Sequence, residues 1–318
     1  MKRVRVDAFG DVAKLHVIDA PEPVPGDGEV LIDIKACGVN YADLMQREGL
    51  YVGGPCPPYF PGVEAAGVVV AHGRGVTTHP VGARVMVTSA GGLQAERATA
   101  AATSCVALPA QLDFVHGAAF PVAFLTAYHA LVTVARARAG EVVVIHAAAG
   151  GVGTAAVQIA GLLGLRVIAT ASTEEKRAKV RALGAELVVG YDAFEAAARE
   201  SGGAAIVLES IGGDVMRRSL AILEPLGRLV VFGVSGKQAR PLDTVKLLFK
   251  SHAVLGLHLD AIFGRPDLLA SSLDWLLSRV HAGELAIQVG RTFPLSEVRG
   301  AHDLLASRRS YGKVVLVP

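Results

Sequence analysis

The stretch Glu141 to Thr170, EVVVIHAAAGGVGTAAVQIAGLLGLRVIAT, constrains the fold more than any other part of the chain, because it spells strand, glycine turn, helix and strand without interruption. Val142 to Ile145 form a continuous β-branched run suited to a strand buried on both faces. Gly150, Gly151 and Gly153 follow, with Val152 between them. From Thr154 the small and apolar residues Ala155, Ala156, Ile159, Leu162 and Leu163 recur at helical spacing until Gly164, which is placed to end the helix. Leu165 to Ala169 then predict a second strand.

The chemistry of such a turn is anion binding. A helix starting straight after glycines offers unpaired backbone N–H groups and the positive end of its dipole, and the missing side chains let a diphosphate approach the backbone. A lone glycine-rich turn signals only a sharp bend, but the strand before it and the helix after it point to a dinucleotide. An NAD site carries Asp or Glu at the tip of the second strand to accept from the ribose. Here the tip reads Thr170, Ala171, Ser172, with Lys176 and Arg177 one helical turn further on. A hydroxyl and cations suit a 2′-phosphate, so NADPH is the expected cofactor. The alternative is that Lys176 and Arg177 lie on a solvated helix face and balance Glu174 and Glu175.

The chain has 318 residues, enough for two domains, and 52% hydrophobic against 19% charged residues marks it as globular. A net charge of +2, with scattered Lys and Arg, gives no basis for nucleic-acid or membrane-surface binding. Cys37, Cys56 and Cys105 form neither a disulfide framework nor a CxxC pair, which suits a reducing cytoplasm. The amino terminus, MKRVRVDAFG, alternates like an edge strand and has no apolar signal-peptide core. Ala147 to Leu165 is uncharged and long enough to imitate a membrane span, yet its glycines, Thr154 and Gln158 favour the nucleotide turn.

Residues before about 121 read as β-rich, with strands expected at Val30 to Ala36, Ala65 to Ala71 and Ala83 to Thr88 between clusters such as PEPVPGDG and GGPCPPYFPG. From Pro121 helix and strand alternate: a helix over Phe124 to Arg138, the nucleotide turn, a helix over Glu174 to Leu183, strands at Glu186 to Val189 and Ala204 to Leu208, a helix over Asp214 to Leu223, and a strand at Arg228 to Phe232. That order predicts an α/β fold with a doubly wound parallel sheet, whose ligand lies at the carboxyl ends of the strands, beside the turns Glu209 to Gly213 and Gly233 to Gly236. A helix over Leu268 to Ala282 and a strand at Lys313 to Val317 complete the chain. The expected boundaries are 1–121 for the first domain, 122–260 for the nucleotide domain and 261–318 for a return to the first. The apolar strand near Ala253 to Leu257 is of the kind that pairs with its twin when it lies at a sheet edge.

Five motifs, CGVNYADLMQREGLY (from Cys37), PYFPGVEAAG (from Pro58), FPVAFLTAYHAL (from Phe120), AAAGGVGTAAVQIA (from Ala147) and GKVVL near the end, together resemble the zinc-free quinone oxidoreductase branch of the medium-chain dehydrogenase/reductase superfamily. The resemblance covers nearly the whole chain in motif order. It implies a GroES-like β-barrel catalytic domain, a Rossmann domain, a cofactor in the cleft between them, and commonly a dimer. Zinc members place a ligand cysteine where this chain has Asn40 and a ligand histidine where it has Val63, and they carry a four-cysteine loop that is missing here. Without those ligands no metal is expected, and the other histidines, among them His72, His79, His116 and His146, show no ligand grouping.

The resemblance further implies NADPH-dependent hydride transfer to a quinone or an α,β-unsaturated carbonyl, with Asn40 donating to a substrate oxygen and Tyr51 or Tyr59 orienting or protonating the product. For each of these residues a loop-stabilising or packing role is the alternative. Tyr41, Thr126 and His129 are expected on the cofactor side, and Asp43 is expected to hold the cofactor-side loop rather than to transfer a proton. Gly150, Gly151, Val152 and Gly153 match the phosphate turn, and Ser172, Lys176, Tyr191 and Arg308 match the surroundings of the adenosine phosphate. Phe232, Gly233, Val234, Ser235, Gly256 and Leu257 match segments bordering the nicotinamide. The family's GAYAE-like stretch reads GGLQAE here, so the substrate wall differs. Reduction of an enoyl thioester, or NADPH binding in a structural or regulatory role, are the competing functions.

Overall fold

The computed structural model describes residues 1–239 and 241–318. Its strands in chain order are β1 (Lys2–Val6), β2 (Leu15–Asp19), β3 (Glu29–Val39), β4 (Glu64–His72), β5 (Arg84–Thr88), β6 (Arg97–Ala101), β7 (Cys105–Ala107), β8 (Val142–Ile145), β9 (Arg166–Thr170), β10 (Leu187–Val189), β11 (Ala204–Glu209), β12 (Leu223–Val231), β13 (Ala253–Gly256), β14 (Val289–Pro294) and β15 (Lys313–Val317). Its α-helices are α1 (Tyr41–Arg47), α2 (Phe114–Ala119), α3 (Pro121–Tyr128), α4 (Gly151–Leu162), α5 (Glu174–Arg181), α6 (Phe194–Glu200), α7 (Gly213–Ala221), α8 (Thr244–Lys250), α9 (Asp260–Phe263), α10 (Pro266–His281) and α11 (Val298–Ala306).

The chain folds into two compact units, one of Met1–Val122 with Ile287–Pro318 and one of Ala123–Ala286. In the first unit a seven-stranded sheet runs β14-β15-β3-β4-β5-β7, with β6 also paired to β3. Only β14 and β15 run parallel; the other pairs are antiparallel. Strand β3 is the hub, meeting β6 along Glu29 to Asp33 and β15 along Cys37 to Val39. Val30, Ile32 and Ile34 alternate into a core shared with Val69, Val85, Val87, Val314 and Leu316.

The second unit is a parallel sheet of order β10-β9-β8-β11-β12-β13. Numbered from β8, this is the doubly wound order 3-2-1-4-5-6, and the order reverses between β8 and β11, where ligands of such sheets bind. The Val142–Ile145 run is buried throughout, as is Ala204–Glu209 beside it, because helices cover both faces.

Several boundaries differ from the sequence expectation. The helix placed over Phe124 to Arg138 begins at Pro121, whose missing N–H costs nothing in a first turn, and ends in a π-helical stretch, His129–Val134. Leu223 belongs to β12, not to the preceding helix, and Phe232 lies just past that strand. The returning tail begins at Ile287 rather than 261, so α10 belongs to the second unit. Strands β2, β6, β7 and β14 and helices α1, α2, α6, α8, α9 and α11 had no sequence expectation. No described helix is long and apolar enough to cross a membrane.

Candidate active site

Two polar centres stand out, one in each unit. In the second unit the chain leaves β8 at Ile145, passes His146 and Ala147, and enters α4 with Gly150 as N-cap. The turn is pinned by backbone bonds: Ala148 N donates to Thr170 O at 3.0 Å and Gly150 N to Ala147 O at 2.9 Å. Gly150 brings no side chain to close over the first turn of the helix. A Cβ on Gly153 would meet Ala147 O at 2.4 Å and Ala148 Cα at 2.5 Å, so only glycine lets the helix start this close to the turn. The result is a bare cradle of backbone amides, the arrangement a diphosphate requires.

His146 holds the cradle from beneath. Ser219 Oγ donates to Val215 O at 2.7 Å, so it accepts from His146 Nε2 at 2.8 Å, and His146 Nδ1 is left to accept from Thr170 Oγ1 at 3.1 Å. Burial drives this imidazole down to about 3, with Arg218 adding to the shift, so it is neutral. Ala147 N donates to the Tyr191 hydroxyl at 3.1 Å, which puts that tyrosine against the turn. Beyond β9, Ser172 is exposed and Lys176 half-buried, its ammonium lowered chiefly by desolvation. Arg177 and Arg181 both pair with Glu174, and Lys179 with Glu175. Those three residues make the ion pairs with Glu174 and Glu175, and Lys176 also interacts electrostatically with Glu175.

At the other side of the switch point, buried Glu209 accepts from the amides of Ile211 and Gly212, while burial raises its pKa. Ser235 N donates to Ser210 O at 2.7 Å and Gly236 N to Ile211 O at 2.8 Å. The turns Glu209 to Gly213 and Gly233 to Gly236 are therefore knitted together at the carboxyl ends of β11 and β12. Phe232, Gly233, Val234 and Ser235 are half-buried there, while Gly256 ends β13 exposed, beside half-buried Leu257.

The centre of the first unit is made of side chains. Val314 opposes Val39 and Cys37 opposes Ala65, so the antiparallel registers carry Lys313 toward Asn40 and Glu64 toward Gly38. Asn40 Nδ2 donates to Glu64 Oε1 at 2.8 Å; Lys313 Nζ donates to Asn40 Oδ1 at 2.7 Å and to Glu64 Oε1 at 2.6 Å. Glu64 Oε2 accepts from Val122 N in the first turn of α3 at 2.8 Å. The Glu64 side chain is 0% exposed and that of Lys313 6%, so this is a buried ion pair with its oxygens and protons placed. Gly38 is what makes room, since a Cβ there would lie 2.5 Å from Glu64 Oε1 and 2.7 Å from Ala118 O.

Three of the expected site residues, Asp43, Tyr59 and His129, are buried. Asp43 is fully buried on α1, and its Oδ2 accepts from Asn40 N at 2.8 Å, so it holds the loop that carries Asn40. Desolvation, aided by Glu64, pushes its carboxyl up to about 7 against the pull of Lys313 and the Asn40 and Gly62 amides. Tyr59 sits in the apolar core with its hydroxyl buried and unpartnered, and burial raises that phenol. His129 is enclosed too: its Nδ1 meets Thr133 Oγ1 at 2.8 Å, its Nε2 has no partner, and burial lowers it to about 4. Thr126 is buried, Tyr41 and Tyr51 are half-buried, and Arg308 is exposed after α11 in the first unit.

Glu64 and Lys313 were missed as site residues. Their signal was a lone charge at the end of an otherwise apolar strand, Glu64 before AAGVVV and Lys313 before VVLV, where a buried charge demands a partner. Among the described residues no group of three His, Cys, Asp or Glu side chains is placed to hold a metal ion. Asn40, Val63 and the Lys313 ammonium do not make a zinc donor set.

A GroES-like unit joined to a doubly wound dinucleotide unit defines a medium-chain dehydrogenase/reductase. Family models agree: "Alcohol dehydrogenase GroES-like domain" matches residues 26–142 and "Zinc-binding dehydrogenase" matches residues 151–277. The chain is 36% identical to a quinone oxidoreductase of Lama guanicoe over 100% of its own length and 97% of that protein's. It is 32% identical to the synaptic vesicle membrane protein VAT-1 homolog of Rattus norvegicus, over 97% of the chain and 81% of the relative. The structure of Escherichia coli quinone oxidoreductase complexed with NADPH superposes with a TM-score of 0.95 at 30% identity, covering 100% of both chains. The chain belongs to the quinone oxidoreductase branch of that superfamily and is an oxidoreductase.

Proposed function

We propose that this protein is a zinc-independent NADPH-dependent reductase that passes hydride to a quinone or an α,β-unsaturated carbonyl. The observation that carries the reading is the Asn40 amide, held by Lys313 and Glu64 where zinc relatives keep metal ligands. A hydride acceptor needs a donor for the charge that builds on its oxygen, and Asn40 Nδ2 has a second hydrogen beyond the one given to Glu64.

Bound NADPH would supply the hydride. The bare cradle from Gly150 to Gly153 fits its diphosphate, with no Cβ in the way. Ser172 and Lys176 stand at a strand tip without a carboxylate and suit the 2′-phosphate. The relative from Escherichia coli was solved with that same cofactor. Half-buried Tyr51 is the phenol left to orient the acceptor, since the Tyr59 hydroxyl is enclosed.

The working form is a homodimer. Strand β13 ends the parallel sheet, and the helix before it, α8, exposes Val245, Leu248 and Phe249, the last 81% exposed. A second copy laid on that edge would cover both. Sedimentation as a monomer at micromolar concentration would sink this part of the reading.

The activity is tested by loss of NADPH absorbance, run beside NADH, against quinones, enones and enoyl thioesters, with and without a chelator. Chelator-resistant turnover of quinones or enones with NADPH preferred is the expected result. Chelator-sensitive turnover would overturn zinc independence, and enoyl thioesters as the best acceptors would replace the acceptor class. Tight NADPH binding without turnover would give the protein a regulatory role instead.

A further inference from the structure

We infer that Lys313 and Glu64 are positioning residues that fix which way the Asn40 amide faces. The inference rests on the reading of Asn40 as the donor to the acceptor's oxygen. An asparagine side chain has two faces of nearly equal shape, an oxygen that accepts and a nitrogen that donates, and a half-turn about its last bond exchanges them. Only one orientation offers an N–H to a substrate.

The buried pair decides between them. With the amide as found, its oxygen meets the Lys313 ammonium at 2.7 Å and its nitrogen meets the Glu64 carboxylate at 2.8 Å. Turned over, the NH2 would face the ammonium and the oxygen would face the carboxylate, replacing two charge-assisted bonds with two like-polarity contacts in a buried site. Asn40 N is also bound to Asp43 Oδ2 at 2.8 Å, so the backbone under the amide is held as well.

Lys313 has no means of acting on a substrate directly. Its ammonium has three hydrogens, and it faces Asn40 Oδ1, Glu64 Oε1 and, at 3.4 Å, Val39 O, all within its own unit. Glu64 is equally committed, with Oε1 taken by Asn40 and Lys313 and Oε2 by Val122 N. The atom left to meet an acceptor is the second hydrogen on Asn40 Nδ2. Stability alone is a poor reason to bury such a pair, because apolar side chains of similar volume in its place are often as stable. Its specific product is a single amide orientation.

The test is a double-mutant cycle between Asn40→Ala and the paired change Lys313→Met with Glu64→Gln, which removes both charges together and so leaves no buried ion unpaired. Steady-state kcat and KM for the best acceptor and NADPH affinity by fluorescence titration are read on each variant, with thermal melts to confirm folding. Asn40→Ala should lower acceptor kcat/KM by about 10-fold or more, the worth of one hydrogen bond to a developing charge. The paired change should lower it by roughly 5- to 10-fold in the parent and by less than about 2-fold in the Asn40→Ala background, with NADPH affinity within about 2-fold throughout.

An equal loss in both backgrounds, or none in the parent, overturns the inference while leaving the Asn40 role intact. No loss from Asn40→Ala by itself overturns that role and the inference with it. A readout independent of turnover comes from protein labelled with 15N-asparagine and free of cofactor. The Asn40 side-chain amide protons should be well separated and slow to exchange in the parent, and should converge and exchange faster in the paired variant. Unchanged side-chain signals would overturn the inference even if activity fell.

Discussion

The two polar centres are built on opposite plans. The cradle of the second unit is backbone, gathered from one strand–turn–helix–strand run and pinned by bonds such as Ala148 N to Thr170 O. The centre of the first unit is side chain, gathered across separations of 24, 249 and 273 residues. A backbone site tolerates almost any neighbour but forbids a Cβ, whereas a side-chain site tolerates small changes of shape but forbids the loss of one charge. Each plan therefore has its own way to fail.

The largest expected effect lies in the charged centre. Lys313→Met alone leaves the Glu64 carboxylate buried without a counter-charge and should cost about 3–5 kcal/mol in urea unfolding, most of it recovered by adding Glu64→Gln. A loss below about 1 kcal/mol would mean that the pair is better hydrated than its burial indicates. Next comes the cradle. Gly153→Val drives a side chain into Ala147 O and Ala148 Cα and should weaken NADPH binding by roughly 100-fold, about 3 kcal/mol, in a fluorescence titration. Binding at parental strength would break the contrast, since the turn would then be yielding rather than rigid.

Smaller effects sharpen it through pH. Asp43 keeps its proton to about 7 in the fold, against about 4 in an unfolded chain. The stability it contributes is therefore complete below about pH 4 and drains away as the pH climbs toward 7, by at most about 1.4 kcal/mol per pH unit. His146, lowered to about 3, gives the reverse dependence. Its contribution is complete above the ordinary histidine value of about 6.5 and is lost as the pH falls. Urea midpoints measured across this range should flatten on the alkaline-falling side in Asp43→Asn and on the acid-falling side in His146→Gln; parallel curves would disprove both assignments. The smallest effect is Thr173→Ala, which removes the side-chain acceptor for Lys176 N at the start of α5 and should cost about 1 kcal/mol.

The same contrast explains what could be read in advance. The cradle, the strands β8, β9 and β11 and the doubly wound order are legible because each depends on neighbours in sequence: a β-branched run, glycines, a helical period. Asn40 was legible only through motif likeness, and the reason it matters was not, because its partners arrive on strands β4 and β15. Tyr59 and His129 were placed by motif likeness as well, and Asp43 as the holder of its loop; that all three are buried was not legible, because a single sequence states burial poorly for polar residues. Leu223 went to the wrong element because an apolar residue between a helix and a buried strand fits the pattern of either.

The position of β15 has a consequence for how the chain is made. Strand β15 lies between β3 and β14, and Lys313 at its start is the partner of Glu64. Residues 1–122 leave the ribosome first, but their sheet lacks its β15 neighbour, and Glu64 lacks its counter-charge, until the last strand has been synthesised. At about 5–20 residues per second that wait is roughly 10–40 s. The second unit, one continuous segment from Ala123 to Ala286, can close meanwhile. The half of the protein translated first is thus the half completed last, and its open β3 edge is the surface a nascent-chain chaperone would have to shield.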